Sequence, residues 1–227
     1  MSRPARPLAT STATRLAAAA ADAFAQSGLE GASLNGILRR AEMGKGSFYH
    51  HFVDKAALHD WVTERLSVDL LAEVRPPRLE TLTTATFRPE LSKMLDRLGR
   101  ITTTRPDLMD LGRMFHNSAN VAVDRTIARV RRTVIAWVTD ALGIGQALGV
   151  VRRDLPLDLL TAWTIASLTT IDQWTLTTTT PLTERRTAAE TTLESLWQIL
   201  TTTGPTDENS PLETEKHVRH DLPAKGR

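Results

Sequence analysis

The stretch Gly44-Lys45-Gly46-Ser47-Phe48-Tyr49-His50-His51-Phe52, followed by Asp54-Lys55, decides how this chain is to be read. It has the length of a short helix with two unlike faces. Phe48 and Phe52 stand four residues apart, so they share one face and can bury together. Lys45, Ser47, Tyr49 and His50 carry hydrogen-bond donors on the other face, and no acidic side chain lies between Gly44 and Val53. A donor-rich face without carboxylates suits phosphate oxygens and base edges. A charged helix face can equally be no more than solvated, so the flanking residues have to discriminate.

Two helical patterns come before it. Leu16, Ala20, Ala23 and Phe24 recur at helical spacing, and Gly28 ends the pattern as a C-terminal cap does. Ser33 is placed to cap a second, short helix with Leu34, Ile37, Leu38 and Ala41 inward. About three residues then separate Ala41 from the Lys45 helix. Two short helices joined so tightly form a helix-turn-helix, whose second helix enters the major groove of DNA.

Position by position, the segment from Leu16 to Leu58 resembles the DNA-binding domain of the TetR/AcrR family of transcriptional regulators. The resemblance rests on Phe24 and Gly28, on Ser33, Ile37 and Ala41, on the run Lys45-Gly46-Ser47-Phe48-Tyr49-His50-His51-Phe52, and on Lys55 with Leu58; it covers about a fifth of the 227 residues. Two departures fall in the turn. Glu42 stands where the family usually has glycine, which takes a positive φ without cost. Gly44 stands where a serine or threonine would cap the recognition helix, a loss of roughly a few tenths of a kcal/mol.

The resemblance implies an all-α protein. An N-terminal three-helix helix-turn-helix domain over residues 10–56 is followed by a helical-bundle ligand-binding and dimerisation domain over 57–203. It also implies a sequence-specific regulator, expected to act as a repressor that a small molecule releases from a palindromic double-stranded DNA operator. Within the motif, Lys45 and Ser47, with Gly46 between them, are expected at base edges. Tyr49 and His50 are expected on phosphates, Ser33 and Lys55 as phosphate clamps, and Asn35 on a base or a phosphate. His51 is left open between DNA and helix packing.

Beyond the motif the chain reads as helices over residues 54–74, 89–105, 107–118, 121–142, 156–178 and 183–203. Leu58, Trp61, Val62, Leu66 and Leu70 point inward on the first, and Pro76-Pro77 stops it. Val123, Ile127, Val130, Val134 and Val138 form a stripe, and Gly143, Gly145 and Gly149 predict a loop. Repeated threonines fall near the expected helix ends, where their hydroxyls can serve backbone groups. By the resemblance, the last two helices pair with those of a second copy through Leu160, Trp163, Ser167, Ile171 and Trp174 and through Ala189, Leu193, Leu196 and Leu200. Candidate effector-pocket residues are Met94, Met109, Met114, Phe115, His116, Trp137, Trp163 and Trp174, although apolar residues at helical spacing are more often plain core.

Composition narrows the alternatives. A net charge of +2 gives no global basic field, so affinity for nucleic acid must come from a local patch. The chain has no cysteine, which excludes disulfides and thiolate sites. Adjacent histidines at 50 and 51 point about 100° apart and make a poor metal pair. No nucleophile elbow, phosphate loop or zinc-protease motif occurs, so neither catalysis, a metal nor a cofactor is expected. Without a long apolar run or a leader, the expected location is the cytoplasm, away from membranes. A basic arm over residues 1–9 and a tail over 204–227 are expected to be disordered. The competing reading is a helical adaptor or small-molecule-binding protein on the same fold that does not bind DNA.

Overall fold

A computed structural model describes residues 8–117 and 125–201, and every regular element among them is helical. Residues 1–7 of the expected arm, Val123 of the expected stripe and the tail over 204–227 lie outside the described residues.

The chain begins with α1 (Thr10–Gly31), which buries Leu16, Ala20, Phe24 and five other residues along one side. Gly28 has φ 65° and ψ 179°, so the regular helix breaks there and its last residues form a turn. The sequence pattern ended at the same glycine, for the reason that only glycine enters that region freely. Helix α2 (Leu34–Arg40) is capped by Ser33, whose hydroxyl accepts from the Gly36 amide at 3.2 Å. Helix α3 (Lys45–His51) has Gly44 at its N-cap and no side-chain cap bond. Helix α4 (Lys55–Val74) is capped by Asp54, which accepts from the Ala57 amide at 2.7 Å, and ends at Arg75 in the left-handed region.

After a short 3-10 turn (Leu79–Thr81) comes α5 (Phe87–Thr104), entered through a reciprocal pair of threonines. The Thr83 amide donates to the Thr86 hydroxyl at 2.9 Å and the Thr86 amide to the Thr83 hydroxyl at 3.3 Å. That arrangement satisfies amides much as a capping box does, and it starts the helix two residues ahead of the expected 89. Helix α6 (Pro106–Asn117) follows, then α7 (Arg125–Ala147), α8 (Leu157–Thr177) and α9 (Leu182–Thr201).

Two expectations fail in α7. The predicted loop at Gly143 and Gly145 is helix, and only Gly149, with φ 73°, makes the turn. Gly145 serves close packing instead, because a Cβ there would come within 2.4 Å of Val151 and 2.7 Å of Phe87. The predicted valine stripe is also interrupted. Ile127 and Val138 are buried, but Val134 is 49% exposed.

The interruption has a structural cause, since α7 joins two separate cores. The first gathers Leu16, Phe24, Ile37, Phe48, Leu58, Val62 and Leu66 with Leu111, Met114 and Ile127. The second gathers Phe87, Val138, Leu142, Val151, Leu160, Leu196, Trp197 and Leu200. Between them the middle turns of α7, Arg131 to Ala136, face outward. The expected boundary at 56/57 thus falls inside the first core, because the reading helices are too short to bury an apolar face without α4 and α6.

Candidate nucleic-acid interface

Local packing fixes which side of α3 is free. Phe48 is fully buried and Phe52 nearly so, with their rings stacked at 5.3 Å between centroids. Phe52 meets Trp61 of α4 edge-on at 5.5 Å, so the aromatic face of α3 is pinned to α4. With that face committed, Lys45, Gly46, Ser47, Tyr49 and His50 are all exposed. Tyr49 rests its ring edge on Phe48 at 5.1 Å yet remains 60% exposed, which leaves its hydroxyl in solvent. Ser33 and Asn35 are exposed at the start of α2. His51 is half-buried, with its ring 5.3 Å from that of His50.

Both turn departures have a visible geometry. Glu42 adopts φ 54°, the left-handed conformation that glycine takes without strain. Its carboxylate lies 3.8 Å from Arg15 Nε on α1, and Arg15 also donates to the Ala41 carbonyl at 3.4 Å. Arg15 thus sits on the outside of the turn and draws the Glu42 charge toward α1. Arg15, within the alanine-rich helix, carries no local sequence signal that it reaches the turn. The main chain closes the same turn, with the Met43 amide donating to the Leu38 carbonyl at 2.9 Å.

Lys55 is engaged within the fold. Its ammonium donates to the Glu30 carbonyl at 2.8 Å and to the Ala32 carbonyl at 3.0 Å. Two of its three donors are therefore spent on the end of α1, and the helix opener is Asp54. Arg40 pairs with Asp22 of α1, so the end of α2 is held to α1 as well.

The candidate effector residues are spread over the two cores and the surface. Met114 belongs to the first core, with Phe115 packed against it, while Trp137 packs on the second. Met94 and Met109 are half-buried, whereas Trp163 and Trp174 are 45% and 39% exposed on α8. Nε2 of His116 lies 2.7 Å from an Asp172 carboxylate oxygen, tying α6 to α8. An open groove of about 200 Å³ between α8 and α9 is lined by Ile171, Trp174 and Ala189 among others. Trp174 is its one residue from the candidate set. Among the described residues, no group of three or more His, Cys, Asp or Glu side chains converges as a metal would require, and no helix is long and apolar enough to cross a membrane.

Residues 16–60 match the family model described as bacterial regulatory proteins, tetR family. The HTH-type transcriptional repressor DhaR of Mycobacterium sp. (strain GP1) is 29% identical over 147 residues, covering 63% of this chain and 72% of that protein. Among solved structures, Salmonella enterica GusR superposes with a TM-score of 0.63 at 20% identity, covering 84% of this chain and 96% of that one. The regulator FadR from Bacillus subtilis, in complex with stearoyl-CoA, gives a TM-score of 0.66 at 13% identity, covering 83% and 99%. Through residues 16–60, a helix-turn-helix whose free face is rich in donors, the chain is thus similar to the tetR family of bacterial regulatory proteins, and it shares the helical architecture of the solved structures.

Proposed function

We propose that the protein is a homodimeric repressor that binds a palindromic operator and leaves it when a small organic effector occupies the C-terminal region. The observation that carries this reading is the division of α3, whose aromatic face is locked into the core while Lys45, Ser47, Tyr49 and His50 stand free. Lys45 and Ser47, in the first turn, read base edges, Tyr49 and His50 hold phosphates, and Ser33 and Asn35 approach the backbone from α2. The resemblance to DhaR, a repressor, supports the sign of regulation. FadR with its bound stearoyl-CoA supports an effector in the helical region.

One recognition helix covers only a few base pairs, so a two-fold dimer supplies the remaining specificity. The surface of α8 fits that role. Leu159, Trp163 and Trp174 on α8 and Ile199 on α9 are large, apolar and exposed, and Asp158 and Asp172 are the only charged residues of α8. Aromatic-rich, charge-poor surface of this kind is typical of the centre of an interface. A DNA-reading regulator works in the cytoplasm, where its operator is.

The test is fluorescence anisotropy of the full chain over a salt series, on a duplex selected from a randomised library and on a scrambled one. The wild type is expected to prefer the selected duplex with a steep salt dependence. Lys45→Ala should cost about 1–3 kcal/mol on the selected duplex and much less on the scrambled one. If selection enriches no sequence, the adaptor reading replaces this one.

A further inference from the structure

Among the exposed and half-buried cations of the reading head, Lys55 is distinguished by what it holds. The end of α1 is an awkward junction: Gly28 breaks the helix, and no basic residue lies in its last turn to meet the terminal carbonyls. Cations are favoured at such an end because the unsatisfied carbonyls carry partial negative charge. Lys55 supplies one from the first turn of α4, reaching the Glu30 and Ala32 carbonyls at 2.8 and 3.0 Å. Ala32 is buried and directly precedes Ser33, the cap of α2. One ammonium therefore spans from the start of α4 to the start of α2.

We infer that Lys55 is a positioning residue for base reading, acting through the Glu30–Ala32 carbonyls and the Ser33 cap, and is not a phosphate ligand. The inference rests on the DNA-binding function proposed above. Helix α3 is pinned to α4 by the Phe48, Phe52 and Trp61 rings, and α2 is tied to α4 through Lys55. Removing that tie lets α2 and the turn after it shift relative to α3. Base-edge hydrogen bonds are lost with small displacements, whereas phosphate contacts tolerate them.

The variants are Lys55→Met, which keeps the stem and removes the ammonium, and Lys55→Arg, which can again donate to two carbonyls. Native-state hydrogen exchange of the free protein should speed about tenfold at the Ala32, Gly36 and Ile37 amides in Lys55→Met, and stay unchanged in α5 to α9. On the two duplexes above, the preference for the selected sequence should fall about tenfold while the slope of log K against log salt stays at the wild-type value. Lys55→Arg should restore both. A slope shallower by about 0.9, with both duplexes weakened alike and exchange unchanged, would make Lys55 a phosphate ligand and overturn the inference. Faster exchange throughout the chain, with both duplexes weakened alike, would reduce it to general stability and overturn it too. If the wild type shows no sequence preference, the DNA-binding proposal fails, while the exchange experiment still decides whether Lys55 holds the junction.

Discussion

The first and last turns of α4 are held by different physics, and the difference shows which part of the helix rests on apolar burial and which on polar ties. Its stretch from Lys55 to Ser67 buries Leu58 and Val62 completely and Leu66 almost so, in the same core as Phe24 and Phe48. In its last turns Val68 and Leu71 are 66% and 58% exposed, Leu70 and Val74 pack only partly on that core, and arginines from α5 and its C-terminal cap add polar ties. Arg97 donates to the Val74 and Arg75 carbonyls at 3.2 and 3.1 Å. Arg105 bonds Glu73 at 2.9 Å and Asp107 through two bonds of 3.0 and 2.8 Å, with Asp69 at 3.8 Å. Apolar burial welds the first half to the reading head. A partly solvated ionic clasp, whose pairs are individually weak, joins the last turns to the α5–α6 junction.

Leu58→Ala should break the welded half. Deleting a fully buried leucine costs about 2–5 kcal/mol, to be read as a lower denaturant midpoint at unchanged slope. A cost below about 1 kcal/mol would deny that half its apolar anchor.

The welded half also has a flaw that sharpens the comparison. Thr63 and Ser67, one turn apart on α4, bury hydroxyls that have no hydrogen-bond partner. Threonines of α8 behave otherwise, since Thr161 and Thr164 each donate at 2.8 Å to the carbonyl four residues back. Thr63→Val keeps the shape and removes the unpaired hydroxyl, and should stabilise the fold by about 1 kcal/mol. Thermal denaturation checks it, and a lower midpoint would show that the hydroxyl is stabilising.

Arg105→Gln should have the smallest effect, up to about 1 kcal/mol. Faster hydrogen exchange is expected over residues 68–75 and not at Leu58 to Leu66. The clasp also carries a pH dependence. The Arg105 hydrogen bond holds the Asp107 carboxyl below the usual carboxylate range, against the opposing effect of its burial. A carboxyl depressed in the fold adds stability that is complete above its unfolded value and is lost as pH falls through the folded one. Wild type should therefore lose stability below about pH 4, and Arg105→Gln should lose less over the same acid range. Parallel acid titrations of the two would break the assignment. Asp110 pulls the other way, because burial raises its carboxyl despite Arg113, so it is the difference between the two proteins that isolates the clasp.

Much of the reading head was legible because its determinants are local. Ser33 as a cap, Gly28 as a break and Phe48 with Phe52 as the inward face follow from spacing and residue type within a few positions. Glu42 stood out against the family pattern, and its φ of 54° is the conformation that pattern's glycine implies. Repeated threonines were expected near helix ends, but that Thr83 and Thr86 bond reciprocally to start α5 did not follow from that. Gly145 misled because glycine signals turns in sequence, whereas here it clears space for Phe87 and Val151, residues distant in the chain or beyond the helix end. The C-terminal helices were least legible. Met114 and Trp174 are both soft or aromatic on helical spacing, yet one is core and the other surface.

By itself the sequence determined an all-helical chain, a helix-turn-helix near its start and the donor-rich face of its second helix, since caps, breaks and periodicity act within one or two helical turns. Tertiary structure alone decided that α4 belongs to the reading head, that α7 bridges two cores and that Lys55 faces the carbonyls of α1. Those outcomes depend on which distant helices come together, and a side chain's partner across such a contact leaves no periodic trace in the residues beside it.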